Sequence, residues 1–250
     1  MKIGIAGSQG HVGTAMRALF PDAVCYDLHV GNKNEINGCD AVFICVPTPA
    51  NPDGSCNTDI VESLIAWIEA PLIILRSTVC VGFTDAMMKK YGKEIVFQPE
   101  YYGETVDHPF SDLKGRRWLT FGGTPRGIHM AIKVYQTVYN ADVAIYQGDA
   151  RSIEMAKYME NCFLAAKVIF CNEMKDIADA LGANYDVARE AWTADPRIGK
   201  SHTFVYDDDR GFGGSCLPKD TSGLLYQADE KKVDAALLRC VIEKNERYRK

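Results

Sequence analysis

Short apolar runs alternate with stretches of helical spacing through the first half of the chain. Lys2–Ala6 (KIGIA), Ala23–Tyr26, Ala41–Val46 (AVFICV), Leu72–Leu75, Glu94–Phe97, Trp118–Phe121 and Asp142–Tyr146 read as strands. Thr14–Phe20, Thr58–Glu69, Thr84–Tyr91 and Arg126–Tyr139 between them read as helices. Alternation with short connections predicts an α/β domain with a doubly wound parallel sheet over residues 1–149. After Asp149 the pattern changes. Ser152–Leu181 has no Gly or Pro and keeps a helical period, and Tyr185–Trp192 is a second helix. Ala194–Pro218 reads as loop, and Lys219 onward as helix running to the terminus. Residues 150–250 are therefore expected to be all-helical.

Composition narrows the possibilities. The chain has 250 residues, 47% hydrophobic and 24% charged, as in an ordinary globular protein. Basic and acidic residues number 28 and 33, a net charge of −5 that argues against nucleic-acid partners and polybasic membrane contact. No apolar run reaches the roughly 20 residues of a membrane span, and the N-terminus does not read as a signal peptide. The nine cysteines are scattered, without C-x-x-C pairs or zinc spacing. A cytoplasmic protein with reduced thiols and no metal is expected. Cys25, Cys39, Cys45, Cys162, Cys171 and Cys240 read as small buried hydrophobes.

Two segments carry candidate chemistry. Gly7-x-x-Gly10-x-x-Gly13 lies between the first strand and the first helix, where a pyrophosphate can sit on a helix N-terminus. A plain strand-to-helix turn is the other reading. Asp27 closes the second strand, where an acid accepts ribose hydroxyls and disfavours a 2′-phosphate, which points to NAD. The second segment is Gly211-Phe212-Gly213-Gly214-Ser215-Cys216-Leu217-Pro218-Lys219-Asp220-Thr221. Its open glycine backbone, Lys219 and a helix starting near Pro218 are the setting a nucleophilic thiolate needs. Lys157 and Asn161 share a helix face, as an exposed pair or a functional one. Glu100, Glu104 and Thr78 follow strand ends, where solvated acids and a helix cap are the alternatives to a site.

The chain resembles the UDP-glucose 6-dehydrogenases, within the wider UDP-glucose/GDP-mannose dehydrogenase group. The resemblance rests on Val46-Pro47-Thr48-Pro49, Ser77-Thr78-Val79 with Gly82-Phe83-Thr84, and Pro99-Glu100 with Glu104. It continues through Glu154-x-x-Lys157-x-x-x-Asn161, Asn172-Glu173, Asp195-Pro196-Arg197-Ile198-Gly199 and Gly211–Thr221. It implies a Rossmann-like NAD-binding domain (1–149) followed by a helical central and dimerisation domain (150–250). The implied reaction is two-step oxidation of the C6 alcohol of UDP-glucose to the carboxylate, through a thiohemiacetal and thioester on Cys216. By resemblance, Lys157 and Asn161 stabilise the oxyanion. Thr78, Glu104 and Asp220 position or activate water, with Glu100 in the same network. The cofactor residues it implies are Gly7, Gly10, His11, Val12, Gly13, Asp27, Val46, Pro47, Thr48, Thr78 and Lys219. Tyr101, Tyr102, Gly103, Glu104, Lys157, Asn161, Arg197, Phe212, Gly213 and Cys216 would contact the substrate, Arg197 across a homodimer interface.

The chain departs from the family pattern in several places. It ends at Lys250, so a short form without the family's third, UDP-covering domain is expected. The glycine turn is one residue longer than G-x-G-Y-V-G, and the stretch after Asp27 is short. Gly103 stands where Arg is usual, and Cys80 where Pro is usual. The loop His202–Arg210, with three aspartates, replaces a uridine-contacting segment. The alternatives are the same chemistry on a UDP-N-acetylhexosamine or GDP-mannose, and a non-catalytic dimeric NAD-binding module. A homodimer is expected, with Val233, Ala236, Leu237, Leu238 and Val241 as its apolar face.

Overall fold

The computed structural model describes residues 1–101 and 113–250. It divides into two compact units, Met1–Pro49 with Asn57–Lys157, and Ala50–Cys56 with Tyr158–Lys250.

The first unit is a seven-stranded sheet: β1 (Ile3–Ala6), β2 (Val24–Tyr26), β3 (Ala41–Ile44), β4 (Ile73–Leu75), β5 (Ile95–Phe97), β6 (Trp118–Gly122) and β7 (Ala144–Gly148). Their order is β2-β1-β3-β4-β5-β6-β7. Alternate strand residues serve the two faces. Ile3, Ile5, Phe43, Ile74 and Val96 pack with α1 (His11–Leu19) and α5 (Pro125–Tyr135). Val42, Ile44, Ile73, Leu75, Ile95 and Phe97 pack with α2 (Lys33–Asn37), α3 (Asp59–Trp67) and α4 (Phe83–Tyr91). Burial on both faces explains the unbroken apolar runs.

The sheet is not wholly parallel, although the sequence pattern predicts a parallel one. β1 to β5 are parallel, but β6 pairs antiparallel to β5 through Phe97 and Gly122, and β7 then follows β6 in parallel. A parallel neighbour requires a crossover connection, and an antiparallel one does not. From β2 the chain passes over β1 to β3. The order therefore reverses at β1/β3, the position where open α/β sheets bind ligands beyond the strand C-termini.

The second unit holds most of α6 (Ala150–Ala180), with α7 (Tyr185–Thr193), α8 (Leu217–Glu230) and α9 (Ala236–Tyr248). The units divide inside α6, after Lys157, rather than at Asp149. The first turns of α6 belong to the sheet unit, where a Cβ on Gly122 would lie 2.8 Å from that of Ile153. The C-terminal helix is also not continuous. Lys232 (φ 57°) is left-handed, and Lys232 N–H and Val233 N–H close on Asp229 O and Ala228 O, a Schellman stop ahead of α9. Val233 and Leu237 are exposed. No helix among the described residues is long and apolar enough to cross a membrane.

Candidate active site

In the first unit the glycine turn leaves β1 at the switch point. Gly7 is left-handed (φ 84°), and a Cβ there would lie 2.7 Å from Cys45 O. A Cβ on Gly13 would lie 2.0 Å from Gly7 O. Both positions therefore require glycine. Gly10 is different: its Cβ would meet only ordinary contacts, from 3.5 Å. Gly10 is the N-cap of α1 and supplies no side-chain cap, so the helix opens with His11, Val12 and Gly13 in its first turn. An uncapped positive helix end behind a bare glycine fits a pyrophosphate. Asp27 Oδ2 accepts Gln9 N–H at 2.8 Å and Oδ1 accepts Leu28 N–H at 2.8 Å. The acid is thus tied to the turn, and each oxygen keeps a lone pair for a ribose hydroxyl.

The loops beyond β3 and β4 are fastened together. Thr48 Oγ1 donates to Thr78 O at 2.7 Å, and Ser77 Oγ donates to Val46 O at 2.6 Å. Pro47 is exposed between them. These bonds place Val46, Thr48 and Thr78 beside the β1/β3 opening, where Val46 Cγ1 would lie 2.9 Å from a Cβ on Gly7.

Glu100, expected as a neighbour in the water network, has a defined set of partners. Its carboxylate is claimed by two buried guanidiniums, Arg76 and, at 3.1 Å, Arg116, and it accepts Tyr101 N–H at 2.6 Å. Arg76 also donates to Tyr135 Oη at 2.9 Å, and that hydroxyl donates to Gln98 Oε1 at 2.7 Å. Burial pushes the Tyr135 phenol upward. A carboxylate so held ties Arg76 and Arg116 to the backbone of Tyr101. It holds Tyr101, whose ring lies 4.7 Å from that of Trp118. The ammonium of buried Lys157 stands 4.4 Å from the Tyr101 ring centroid. Tyr102, Gly103 and Glu104 lie outside the described residues. Glu154 accepts the N–H groups of Gly82 (2.5 Å) and Thr84 (2.9 Å) and so fixes α6 just before Lys157. Burial raises its carboxyl above the usual range.

In the second unit Cys216 is the exposed N-cap of α8, with Sγ 3.7 Å from Ser215 Oγ. Asp220, one turn along α8, is buried and accepts Asn161 Nδ2 and Lys219 Nζ. Asn161 is itself buried on α6, one turn beyond Lys157, so the exposed-pair alternative fails for both residues. Lys219 spends its ammonium on Asp220 and not on the thiol. Burial, and then Asp220, push the Cys162 thiol up to about 12. Cys240 is exposed rather than buried, and Cys25 and Cys162 are half-buried.

Phe212 and Arg197 are other expected substrate contacts. Phe212 is buried against Ala165, Ile169 and Val241, where its ring anchors the loop. Arg197 is exposed and grips Asp195. The aspartate loop is partly neutralised, Asp209 by Arg249 and Asp207 by Lys175 at 3.7 Å. Sequence reasoning missed Arg76 and Arg116, whose only signal was a charge beside a buried strand.

Two family models match. The NAD binding domain of the UDP-glucose/GDP-mannose dehydrogenase family matches residues 14–106, and the family's central domain matches residues 151–247. The chain is 30% identical over 227 residues to UDP-glucose 6-dehydrogenase TuaD of Bacillus subtilis, covering 86% of this chain and 48% of that one. It is 30% identical over 230 residues to GDP-mannose 6-dehydrogenase of Pseudomonas syringae, covering 84% and 51%. It thus spans about half the length of these curated relatives. A solved UDP-glucose dehydrogenase from Pyrobaculum islandicum shares the fold, with TM-score 0.85 at 24% identity over 98% of this chain and 68% of that one. The glycine turn and the tethered Asp27 fit NAD, the nucleotide of the matched domain. With both domains matched in order, the chain belongs to the UDP-glucose/GDP-mannose dehydrogenase family.

Proposed function

We propose that the protein is an NAD-dependent dehydrogenase that oxidises the C6 alcohol of UDP-glucose to the carboxylate of UDP-glucuronate, with Cys216 as covalent nucleophile. The observation that carries this reading is the exposed thiol at the N-cap of α8, one turn from the buried Asp220–Asn161 pair. NAD, held by Gly7, Gly10, Gly13 and Asp27, would accept the hydrides. The Cys216 thiolate attacks the C6 aldehyde and forms a C–S bond, giving a thiohemiacetal. Loss of the C6 hydride leaves a thioester. Water then attacks that carbonyl, the C–S bond breaks, and the thiol and the carboxylate are released. Asn161 Nδ2 and the Lys157 ammonium are the donors for the oxyanion. Asp220, held by its two partners, orients the amide and helps to position the attacking water. Thr78 and Glu104 are proposed to position that water.

A GDP-mannose dehydrogenase relative at 30% identity keeps other nucleotide sugars as the second reading. The test is NADH formation at 340 nm across UDP-glucose, UDP-N-acetylhexosamines and GDP-mannose. Two NADH per UDP-glucose, severely reduced in Cys216→Ser, is the expected result. NAD binding without NADH from any sugar would leave a non-catalytic module. We also propose a homodimer. Besides Val233 and Leu237 of the expected stripe, Met159, Phe163, Phe170 and Ile177 are exposed at helical spacing along α6 and offer it an apolar face. Sedimentation of a Phe163→Glu variant as a monomer would support it.

A further inference from the structure

We infer that Asn245 is a positioning residue for the nucleophile: its side-chain amide clamps the peptide of Phe212, four residues before Cys216. The inference rests on the proposed role of Cys216. Asn245 Oδ1 accepts Phe212 N–H at 2.7 Å, and Asn245 Nδ2 donates to Phe212 O at 3.0 Å. One primary amide thus satisfies both polar groups of one residue, as a neighbouring strand would. Phe212 is buried, so the loss of these partners would strand a donor and an acceptor away from water.

The surrounding loop is built to this clamp. Gly211 is left-handed (φ 74°), and a Cβ there would lie 2.5 Å from Asn245 Oδ1. Gly211 is therefore bare because Asn245 occupies that space. Its N–H donates to Asn172 Oδ1 at 3.1 Å, while Asn172 also accepts Arg210 Nε at 2.6 Å and donates to Val168 O. Gly213 and Gly214, which carry no side chains, then lead to the first turn of α8. The loop is held at Phe212 from α9 and at Cys216 by α8, and only glycines and Ser215 lie between. Removing the first hold frees the thiol's approach without touching the thiol. Shifts near 1 Å in a reacting group lower turnover by about a hundredfold.

The test compares Asn245→Ala and Asn245→Asp with wild type. The measurements are amide exchange at Phe212, alkylation of Cys216 by iodoacetamide read at the peptide level, and kcat against KM for NAD. Asn245→Ala is expected to expose the Phe212 amide, change the alkylation rate several-fold and lower kcat roughly ten- to a hundredfold, with KM for NAD unchanged. Asn245→Asp keeps the acceptor and should retain Phe212 protection, with a smaller loss of kcat. It also serves as the readable variant should Asn245→Ala fail to fold. Unchanged exchange in Asn245→Ala, or faster exchange with kcat per folded molecule unchanged, would overturn the inference. A wild type that turns over no nucleotide sugar would defeat the proposed function instead. Exchange and alkylation would then decide the clamp, and equal Cys216 alkylation in wild type and Asn245→Ala would overturn it.

Discussion

Replacing Glu100 by Gln tests whether this acid is an anchor or a participant in the chemistry. The amide keeps the shape of the side chain and removes its charge. Arg76 and Arg116, each with a side chain only 2% exposed, then lose their shared counter-ion. Removing one partner of a buried ion pair costs about 3–5 kcal/mol, because the remaining charge stays desolvated. In a domain of this size each kcal/mol lowers Tm by about 2–4 °C, so the expected fall is about 6–20 °C. Thermal melting followed by circular dichroism reads it directly. Adding Arg116→Met to Glu100→Gln should restore part of the loss by removing one orphaned cation. A Glu100→Gln protein that melts like wild type but has lost turnover would refute the anchor and return Glu100 to the water network.

Two other substitutions probe the frame around the site. Gly13→Ala drives a Cβ to 2.0 Å from Gly7 O, a backbone atom that cannot swing aside, and should cost about 1–3 kcal/mol together with NAD affinity. Gly10→Ala, with its nearest contact at 3.5 Å, should melt nearly as wild type while still weakening NAD binding in a calorimetric titration. Glu154 gives a pH dependence. Burial raises its carboxyl, so the stability this group contributes is full below the ordinary carboxyl range and declines as pH rises through its raised value. Denaturant midpoints of Glu154→Gln across that range should lack this share of the decline. An identical slope in wild type and variant would rule it out.

The features legible in the sequence were those made by neighbours along the chain. Apolar runs announced the sheet, and Gly7 and Gly13 announced a turn that only glycine can make. Gly182 (φ 71°) ended α6 within a residue of the expected place. The same kind of helix stop at Lys232 went unread, because a lysine in the left-handed region carries no compositional mark. Asn32 capping the N–H of Glu35 was a local signal for α2 that the apolar pattern hid. The antiparallel pairing of β6 with β5 leaves no mark in the apolar pattern, because a strand of either direction reads alike.

The parts of the candidate site that escaped the sequence share one physical feature. Each depends on a polar side chain meeting a group far along the chain: Asp27 on the Gln9 amide, Glu154 on the Gly82 and Thr84 amides, and Asn245 on the Phe212 peptide. The strand pattern supplied Asp27 and the resemblance Glu154 as residue types, but neither gave their partners. Every one of these contacts grips backbone rather than another side chain. Their geometry is therefore fixed by the fold and not by two residues varying together. It follows that the loop bearing Cys216 is held from outside its own motif. Substitutions in the last turns of α9, at Asn245 or at Arg249 beside Gly213, should then affect the thiol more than most substitutions nearer to it.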